Sequence, residues 1–212
     1  VYNENVCVNM NVCQAAAELG VKKIVFASTI QVIAVERRYP EDEGMPSSLT
    51  YLPLDGDSPA NPRNTYALSK WATENMLEYY ARRHGLDCVA IRFPYTFDRR
   101  YFETVSKRAS EDAWHGYAIE EAFSYLSCED ASRLIAAILR ADLPGFRVYF
   151  PAAASPFLTV PIGKILQRFF PGVPLRRPLD QLGSLVDTSR IERETGWRPQ
   201  DCLQSDPDAN LR

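Results

Sequence analysis

The stretch Leu19-Gly-Val-Lys-Lys-Ile-Val-Phe-Ala-Ser-Thr29 decides the fold, because it joins the end of a helix to a buried strand. Apolar residues recur from Asn3 to Leu19 and predict a mostly buried helix, and Gly20 provides its C-terminal stop. Val21 to Ala27 is a short run rich in β-branched residues, which is typical of a buried strand. A helix, a glycine and a buried strand form half of the repeating unit of a parallel sheet.

The same unit occurs a second time along the chain. Asn64 and Thr65 predict an N-cap for a helix from Tyr66 to His84, which Gly85 ends. Asp87 to Phe93 then predicts a second buried strand. Two consecutive helix–strand units predict an α/β fold with a partial Rossmann-like parallel sheet flanked by helices.

The pattern becomes less regular after the second strand. Pro94-Tyr-Thr-Phe97 predicts a turn that leaves the sheet, and residues 35–64 predict a long acidic loop. Further elements are predicted at Glu129–Ala141 (helix), Arg147–Phe150 (strand), Pro161–Phe169 (helix) and within Asp187–Pro199 (short helix). We therefore predict two regions, a sheet-forming part at 1–97 and a smaller mixed C-terminal lobe at 98–212.

Composition argues against several classes of protein. The 212 residues carry a formal charge of −3, whereas a dedicated nucleic-acid surface is normally basic. The only histidines, His84 and His115, have no acid or thiol partner at ligand spacing, so we expect no metal site. No apolar run approaches the roughly 20 residues that span a bilayer, and five scattered cysteines suit a reducing compartment. We expect a soluble, cytoplasmic protein that binds neither nucleic acid nor a membrane.

Tyr66-Ala-Leu-Ser-Lys70 carries the chemistry that the sequence offers. The phenol and the ammonium lie four residues apart and therefore on one face of the predicted helix. A free tyrosine has a pKa of about 10 and is a poor base at neutral pH, but a neighbouring lysine stabilises its phenolate. The pair suits removal of a proton from an alcohol, with the Thr29 hydroxyl holding the substrate oxygen.

Several segments, in order, resemble the extended short-chain dehydrogenase/reductase family, in its NAD-dependent epimerase/dehydratase branch. Val25-Phe-Ala-Ser-Thr29 with Val32 is similar to the family's "V-x-x-S-[ST]-x-x-V-Y-G" strand end. Asn64-Thr-Tyr66-Ala-Leu-Ser-Lys70 with Glu74 is similar to its "x-x-Y-x-x-S-K-x-x-x-E" helix. Ile91-Arg-Phe-Pro94 is similar to its "L-R" strand. Asn9 to Gly20 resembles the family's asparagine-containing helix before the catalytic strand, and Ser127 to Ser132 and Asp187 to Pro199 are similar to two later elements.

The resemblance implies roles for individual residues. Thr29, Tyr66 and Lys70 would be catalytic, and Lys70 would also hold the nicotinamide ribose. The cofactor-binding residues would be Ser28, Tyr66, Lys70, Pro94, Tyr95 and Thr96. Residues 1–97 would be the C-terminal part of a dinucleotide-binding domain, and residues 98–212 would be mainly a substrate-binding lobe with some return to the core domain.

The cofactor implied by the resemblance is NAD or NADP, with NAD favoured. The substrate would be a small molecule, with a nucleotide sugar as one candidate. The family commonly dimerises through two helices, here Asn3–Leu19 and Tyr66–His84, which implies a homodimer with a four-helix contact.

The chain also departs from the family pattern. Ile33 and Ala34 stand where the family usually shows Tyr-Gly, and Ile30-Gln31 stand where its dehydratases place Asp-Glu. Since Ile30 cannot transfer a proton, we disfavour dehydration. The ten glycines form no G-x-x-G-x-x-G or G-x-G-x-x-G motif, so we expect a segment before Val1 to supply the pyrophosphate cradle.

Three hypotheses on function remain open at this point. A nucleotide-sugar epimerase would hold NAD tightly and release no net NADH. A one-way dehydrogenase or reductase of a small carbonyl or alcohol would use the same residues and form NADH stoichiometrically. A non-catalytic truncated scaffold is favoured by the altered Ile33-Ala34 turn and opposed by the intact Thr29, Tyr66 and Lys70.

Overall fold

A computed structural model describes residues 1–33, 37–101, 104, 114 and 119–202, and it confirms the predicted α/β class. Ala34, which forms half of the altered turn noted above, lies outside these residues. Within the described residues, the helices of eight or more residues are α1 (Tyr2–Glu18), α2 (Thr65–His84), α3 (Cys128–Arg140) and α4 (Ile162–Phe169), and the shorter α5 is Ser189–Thr195. The strands are β1 (Lys23–Thr29), β2 (Asp87–Phe93), β3 (Tyr95–Phe97), β4 (Tyr125–Ser127) and β5 (Phe146–Tyr149).

The main sheet is parallel, with the strand order β1-β2-β5. In the register of its first pair, Lys23 lies beside Asp87 and Thr29 lies beside Phe93. Because both strands run in the same direction and end together, the residues that follow them meet at one edge of the sheet. This edge, where Thr29 and Phe93 lie, is called the carboxyl edge below.

Helices cover both faces of this sheet. Alternate β2 side chains pack on opposite sides: Cys88 and Ala90 join a cluster with α1 and α2, whereas Val89 and Ile91 join a cluster with α3 and α5. A strand buried on both faces needs a nearly continuous apolar sequence, as Cys88 to Ile91 provides. The result is a three-layer α/β/α arrangement.

The N-terminal helix differs from its prediction. Only Cys13 and Ala16 of α1 are buried, while Val8, Met10 and Val12 are exposed. The prediction of a mostly buried helix was therefore wrong, because apolar spacing shows that a helix forms but not how many of its sides are covered. One side of α1 packs on α2, and much of its apolar surface faces outward.

A third hydrophobic cluster lies outside the three layers. It joins the turn after β1, through Ile30 and Val32, to the segment around Leu52 and Leu54 and to residues from 119 to 186. Leu52 and Leu54 form isolated parallel bridges with Leu175 and Val186. The described part of the predicted acidic loop therefore packs against residues of the C-terminal half of the chain.

Candidate active site

The carboxyl edge of the sheet brings several predicted residues into one region. Thr29 ends β1 and Phe93 ends β2 directly beside it, so Pro94, Tyr95 and Thr96 follow at the same edge. Ligands of parallel α/β sheets bind in the crevice outside the carboxyl ends of the strands. The edge is therefore where a bound substrate and cofactor are expected.

Two hydrogen bonds of Asn64 hold the start of α2 at this edge. Its side-chain oxygen accepts the Ala67 backbone N–H at 2.7 Å, which caps the helix. Its side-chain nitrogen donates to Oε1 of Gln31, in the turn after β1, at 3.1 Å. The N-cap thus joins the first turn of α2 to the residues that directly follow Thr29.

Tyr66 and Lys70 lie on this first part of α2. Tyr66 is 40% exposed, so its phenol is accessible to a bound molecule. The Lys70 ammonium nitrogen lies 5.6 Å from the centre of the Tyr66 ring and 4.8 Å from that of Phe26. It donates a hydrogen bond of 2.8 Å to the Ala27 carbonyl. Strand β1 therefore fixes the ammonium beside the phenol.

Burial lowers the pKa of the Lys70 ammonium from its ordinary value. The physical cause is the loss of water around the charge, which disfavours the protonated form. The same partial exclusion of water strengthens the interaction between this cation and a negative charge that forms nearby. The positive end of the α2 dipole also favours an anion at this helix terminus.

The two hydroxyl residues at the end of β1 have different partners. Thr29 is buried, and its Oγ1 accepts the Gln31 backbone N–H at 3.3 Å. Because that bond uses an oxygen lone pair, it does not consume the hydroxyl hydrogen. Ser28 donates its hydrogen to Oε1 of Glu74 at 2.6 Å and is only 4% exposed.

The predicted turn after β2 is instead a short strand. Pro94 is buried, but Tyr95 to Phe97 forms β3, which pairs in parallel with β4. The prediction of a turn was wrong because the partner strand, Tyr125–Ser127, lies 30 residues further along the chain. Tyr95 and Thr96 remain exposed at the carboxyl edge, while Phe97 is buried.

The sequence analysis missed a buried ion pair behind the site. Both nitrogens on one side of the Arg92 guanidinium donate to the Glu74 carboxylate, at 3.0 and 2.8 Å. Arg92 is 5% and Glu74 is 4% exposed. The signal was an arginine inside the otherwise apolar run of β2, since arginine is almost never buried unless it is paired.

A cavity of about 390 Å³ opens beside the segment that leads into α2. Arg63, three residues before Tyr66, is exposed and lines it. The buried Arg37 lines it as well and forms an ion pair with the buried Glu120. The other lining residues are Asp42, Met45, Pro46 and Ser48. The described part of the acidic loop therefore borders a cavity with charged and apolar walls close to the first turn of α2.

In the described ranges, no group of three or more His, Cys, Asp or Glu side chains could hold a metal ion. No helix in the part of the chain that the structure describes has the length and apolar character needed to cross a membrane.

Comparisons with known proteins give a consistent family. The model of the "NAD dependent epimerase/dehydratase family" matches residues 1–141. The uronate dehydrogenase of Pseudomonas syringae pv. tomato is 32% identical over 108 residues, which are 49% of this chain and 35% of that protein. The chain therefore spans about a third of the length of this curated relative.

Solved structures share the fold. A UDP-galactose 4-epimerase superposes with a TM-score of 0.58 at 22% identity, covering 95% of this chain and 66% of that one. A variant of uronate dehydrogenase from Agrobacterium tumefaciens, complexed with NAD, superposes with a TM-score of 0.54 at 21% identity. That match covers 93% of this chain and 54% of the other.

Proposed function

Since the chain belongs to the NAD dependent epimerase/dehydratase family, we propose that it supplies the proton-transfer site of an NAD-dependent oxidoreductase or epimerase acting on sugars. The observation that carries this proposal is the Lys70 ammonium, fixed 5.6 Å from the ring of an accessible Tyr66 at the carboxyl edge of a parallel sheet. That arrangement suits the exchange of a proton with a sugar hydroxyl.

In this proposal Tyr66 is the catalytic acid–base. Its phenolate accepts the proton of the sugar hydroxyl and returns the proton in the reverse step. Lys70 stabilises the phenolate through its partly desolvated ammonium. Thr29, whose hydroxyl hydrogen is not used by its bond from Gln31, donates to the reacting oxygen.

The residues at the carboxyl edge fit a dinucleotide cofactor. Lys70 provides a cation, and exposed Tyr95 and Thr96 provide polar and aromatic surface in front of the sheet. NAD, which we favour over NADP, supplies the acceptor for the hydride of the oxidised carbon when it is bound. The proposed cofactor contacts are Tyr66, Lys70, Pro94, Tyr95 and Thr96. Ser28 stays a predicted cofactor contact, although its hydroxyl hydrogen is already donated to Glu74.

Two reaction types remain, and each has support. The uronate dehydrogenase relative favours one-way oxidation of a sugar acid, and the UDP-galactose 4-epimerase fold favours epimerisation of a nucleotide sugar. The cavity beside Arg63 is lined by charged and hydroxyl groups, which suits either sugar. Full-length protein that forms one NADH per substrate turned over would exclude epimerisation, whereas isomerised product without net NADH would exclude the dehydrogenase. Dehydration is disfavoured because Ile30 is a buried aliphatic side chain.

Tyr66→Phe in the full-length protein tests the catalytic proposal. Loss of a general acid–base should lower kcat by about 10²- to 10⁴-fold without unfolding the protein. Tyr79→Phe is the matched control, because Tyr79 is an exposed tyrosine near the other end of the same helix. Equal activity of Tyr66→Phe and wild type would refute the proposal and favour the non-catalytic scaffold. Lys70→Met should weaken NAD binding as well as turnover.

We also propose that the protein is a homodimer built on α1 and α2. Val8, Met10 and Val12 of α1 and Leu68 and Trp71 of α2 are all exposed, so both of these packed helices carry apolar side chains on their outer surfaces. In a dimer with twofold symmetry, each copy buries the same surface against the other. One interface would therefore cover the apolar side chains of both partners.

Light scattering after size exclusion tests this interface. Val12→Asp should convert a dimer into a monomer, since a charge in an apolar interface remains unpaired. Leu139→Asp, at an exposed leucine near the end of α3, is the control and should leave the mass unchanged. A wild-type monomer would contradict the interface. The division at residue 97 and a cytoplasmic location also remain proposals. The location is favoured by the five cysteines, none of which forms a disulfide.

A further inference from the structure

Glu74 is the centre of a buried polar network directly behind the proposed site. It lies on α2 one turn after Lys70 and is 4% exposed. One carboxylate oxygen accepts the Ser28 hydroxyl at 2.6 Å and the Arg92 Nε at 3.0 Å. The other accepts a terminal nitrogen of Arg92 at 2.8 Å. A single carboxylate thus joins α2 to the ends of both β1 and β2.

Arg92 extends this network to a third part of the chain. Its remaining terminal nitrogen donates to the Ser58 carbonyl at 2.8 Å and lies 3.5 Å from the Gly56 carbonyl. These carbonyls belong to the segment that leads from the smaller lobe into α2. The network therefore fixes α2, the ends of β1 and β2, and this segment relative to each other.

The network reaches Lys70 through one peptide unit. The Ala27 carbonyl, which accepts the Lys70 ammonium at 2.8 Å, belongs to the peptide between Ala27 and Ser28. The hydrogen bond from Ser28 to Glu74 holds the other side of that unit. Both Lys70 and Glu74 project from α2 toward β1, so the helix and the strand end are connected at two successive turns.

Stability alone does not account for a charged network at this place. A buried ion pair is often no more stable than apolar side chains of similar volume, because both charges lose their hydration. Directional bonds to a carboxylate, by contrast, define the position of each partner to a fraction of an ångström. The proposed chemistry needs that accuracy in the position of the ammonium.

We propose that Glu74 and Ser28 are positioning residues that set the place of the Lys70 ammonium beside Tyr66. This inference rests on the proposed function, in which Lys70 stabilises the Tyr66 phenolate. In this proposal Ser28 acts through the protein, on the Ala27 carbonyl, and this role replaces the cofactor contact that the family resemblance implies for it.

A double-mutant cycle in the full-length protein tests this indirect action. Ser28→Ala should lower kcat by about 3- to 10-fold when Lys70 is present, and by less than 2-fold in the Lys70→Met background. The affinity for NAD in the Lys70→Met background should not change when Ser28→Ala is added. Additive losses, or a further loss of NAD affinity, would overturn the proposal, the latter by showing that Ser28 touches the cofactor.

Thr73→Val is the matched control for this cycle. Thr73 is also a residue with a buried hydroxyl group, and it lies on α2 next to Glu74. Its hydroxyl bonds to Asn9 and to the Ser69 carbonyl, which belong to α1 and α2 and not to β1. Thr73→Val should change kcat by the same factor whether residue 70 is lysine or methionine. A purely structural role for Ser28 would give the same result as this control.

A second measurement needs no enzymatic activity. The five lysines can be ¹³C-dimethylated without loss of charge, and the Lys70 methyl signals can be assigned by their absence in Lys70→Arg. Ser28→Ala and Glu74→Gln should shift these signals, while Thr73→Val should not. Unchanged Lys70 signals in both variants would overturn the proposal. If Tyr66→Phe is fully active but Ser28→Ala still shifts the signals, the proposed function fails and the positioning of Lys70 stands.

Discussion

Removal of the Arg92 side chain should destabilise the protein far more than loss of an ordinary ion pair. In Arg92→Met, the apolar part of the side chain is largely kept. The Glu74 carboxylate, however, stays buried, and among the described residues the Ser28 hydroxyl remains as its side-chain donor. The Ser58 carbonyl also loses its donor. A buried charge that loses its partner costs about 3–5 kcal/mol.

The measurement is the free energy of unfolding from urea denaturation, followed by far-UV circular dichroism. A loss of about 3–5 kcal/mol corresponds to a decrease in Tm of about 6–20 °C for a chain of this size. Arg82→Met is the control, because Arg82 forms an exposed pair with Glu78 at 3.8 Å. Its free energy of unfolding should change by no more than about 0.5 kcal/mol.

The double variant Glu74→Met/Arg92→Met separates a stranded charge from lost packing. With both charges removed, no ion remains buried, so this variant should be more stable than Arg92→Met alone. A loss below about 1 kcal/mol in Arg92→Met, or a double variant that is less stable than the single one, would refute the reasoning.

Three further predictions use other parts of the fold. Gly56→Ala should lower the free energy of unfolding by more than about 2 kcal/mol, since its added Cβ would lie 2.0 Å from a β5 carbonyl oxygen. Gly163→Ala in α4 should raise the free energy of unfolding by about 0.5–1 kcal/mol, because alanine favours a helix more than glycine does. Urea denaturation of both variants measures these changes. Burial raises the pKa of Glu194, but hydrogen bonds from a tyrosine and an arginine outweigh burial and hold the pKa below its ordinary value. The stability from this charge is present above the unfolded pKa of about 4.3 and lost as the pH falls through the lower folded value, so in a pH series the deficit of Glu194→Gln at pH 7 should decrease below about pH 4.3 and vanish once the pH is below the folded pKa. Burial raises the pKa of Cys88 to about 12, so an aromatic disulfide reagent at pH 8 should modify exposed Cys7 in the native protein and Cys88 only after unfolding.

Local sequence patterns were sufficient for the elements that build the sheet. The helices α1 and α2 and the strand β2 lie within one or two residues of their predicted bounds, because glycine stops, an asparagine cap and apolar runs act over a few neighbouring residues. Strand β1 is shifted toward Thr29, which places that hydroxyl at the strand end itself. The spacing of Tyr66 and Lys70 likewise predicted that they share one side of a helix.

Contacts between distant residues were beyond these patterns. The partner of Ser28 is 46 residues away at Glu74, and β3 forms only because Tyr125 to Ser127 pairs with it. The exposure of α1 depends on what packs against it, which no periodicity in its own sequence records. In each case the deciding energy comes from a contact across the fold.

The sequence by itself therefore determined the helices, the three strands of the main sheet and the presence of a tyrosine–lysine pair on one helix. These features follow from backbone preferences and hydrophobic periodicity, which are properties of neighbouring residues. Only the tertiary structure decided that the ammonium of Lys70 is fixed by the Ala27 carbonyl and that Glu74 holds the adjacent serine and Arg92. Buried polar groups must find hydrogen-bond partners wherever the fold provides them, so their pairing is a property of the packed molecule.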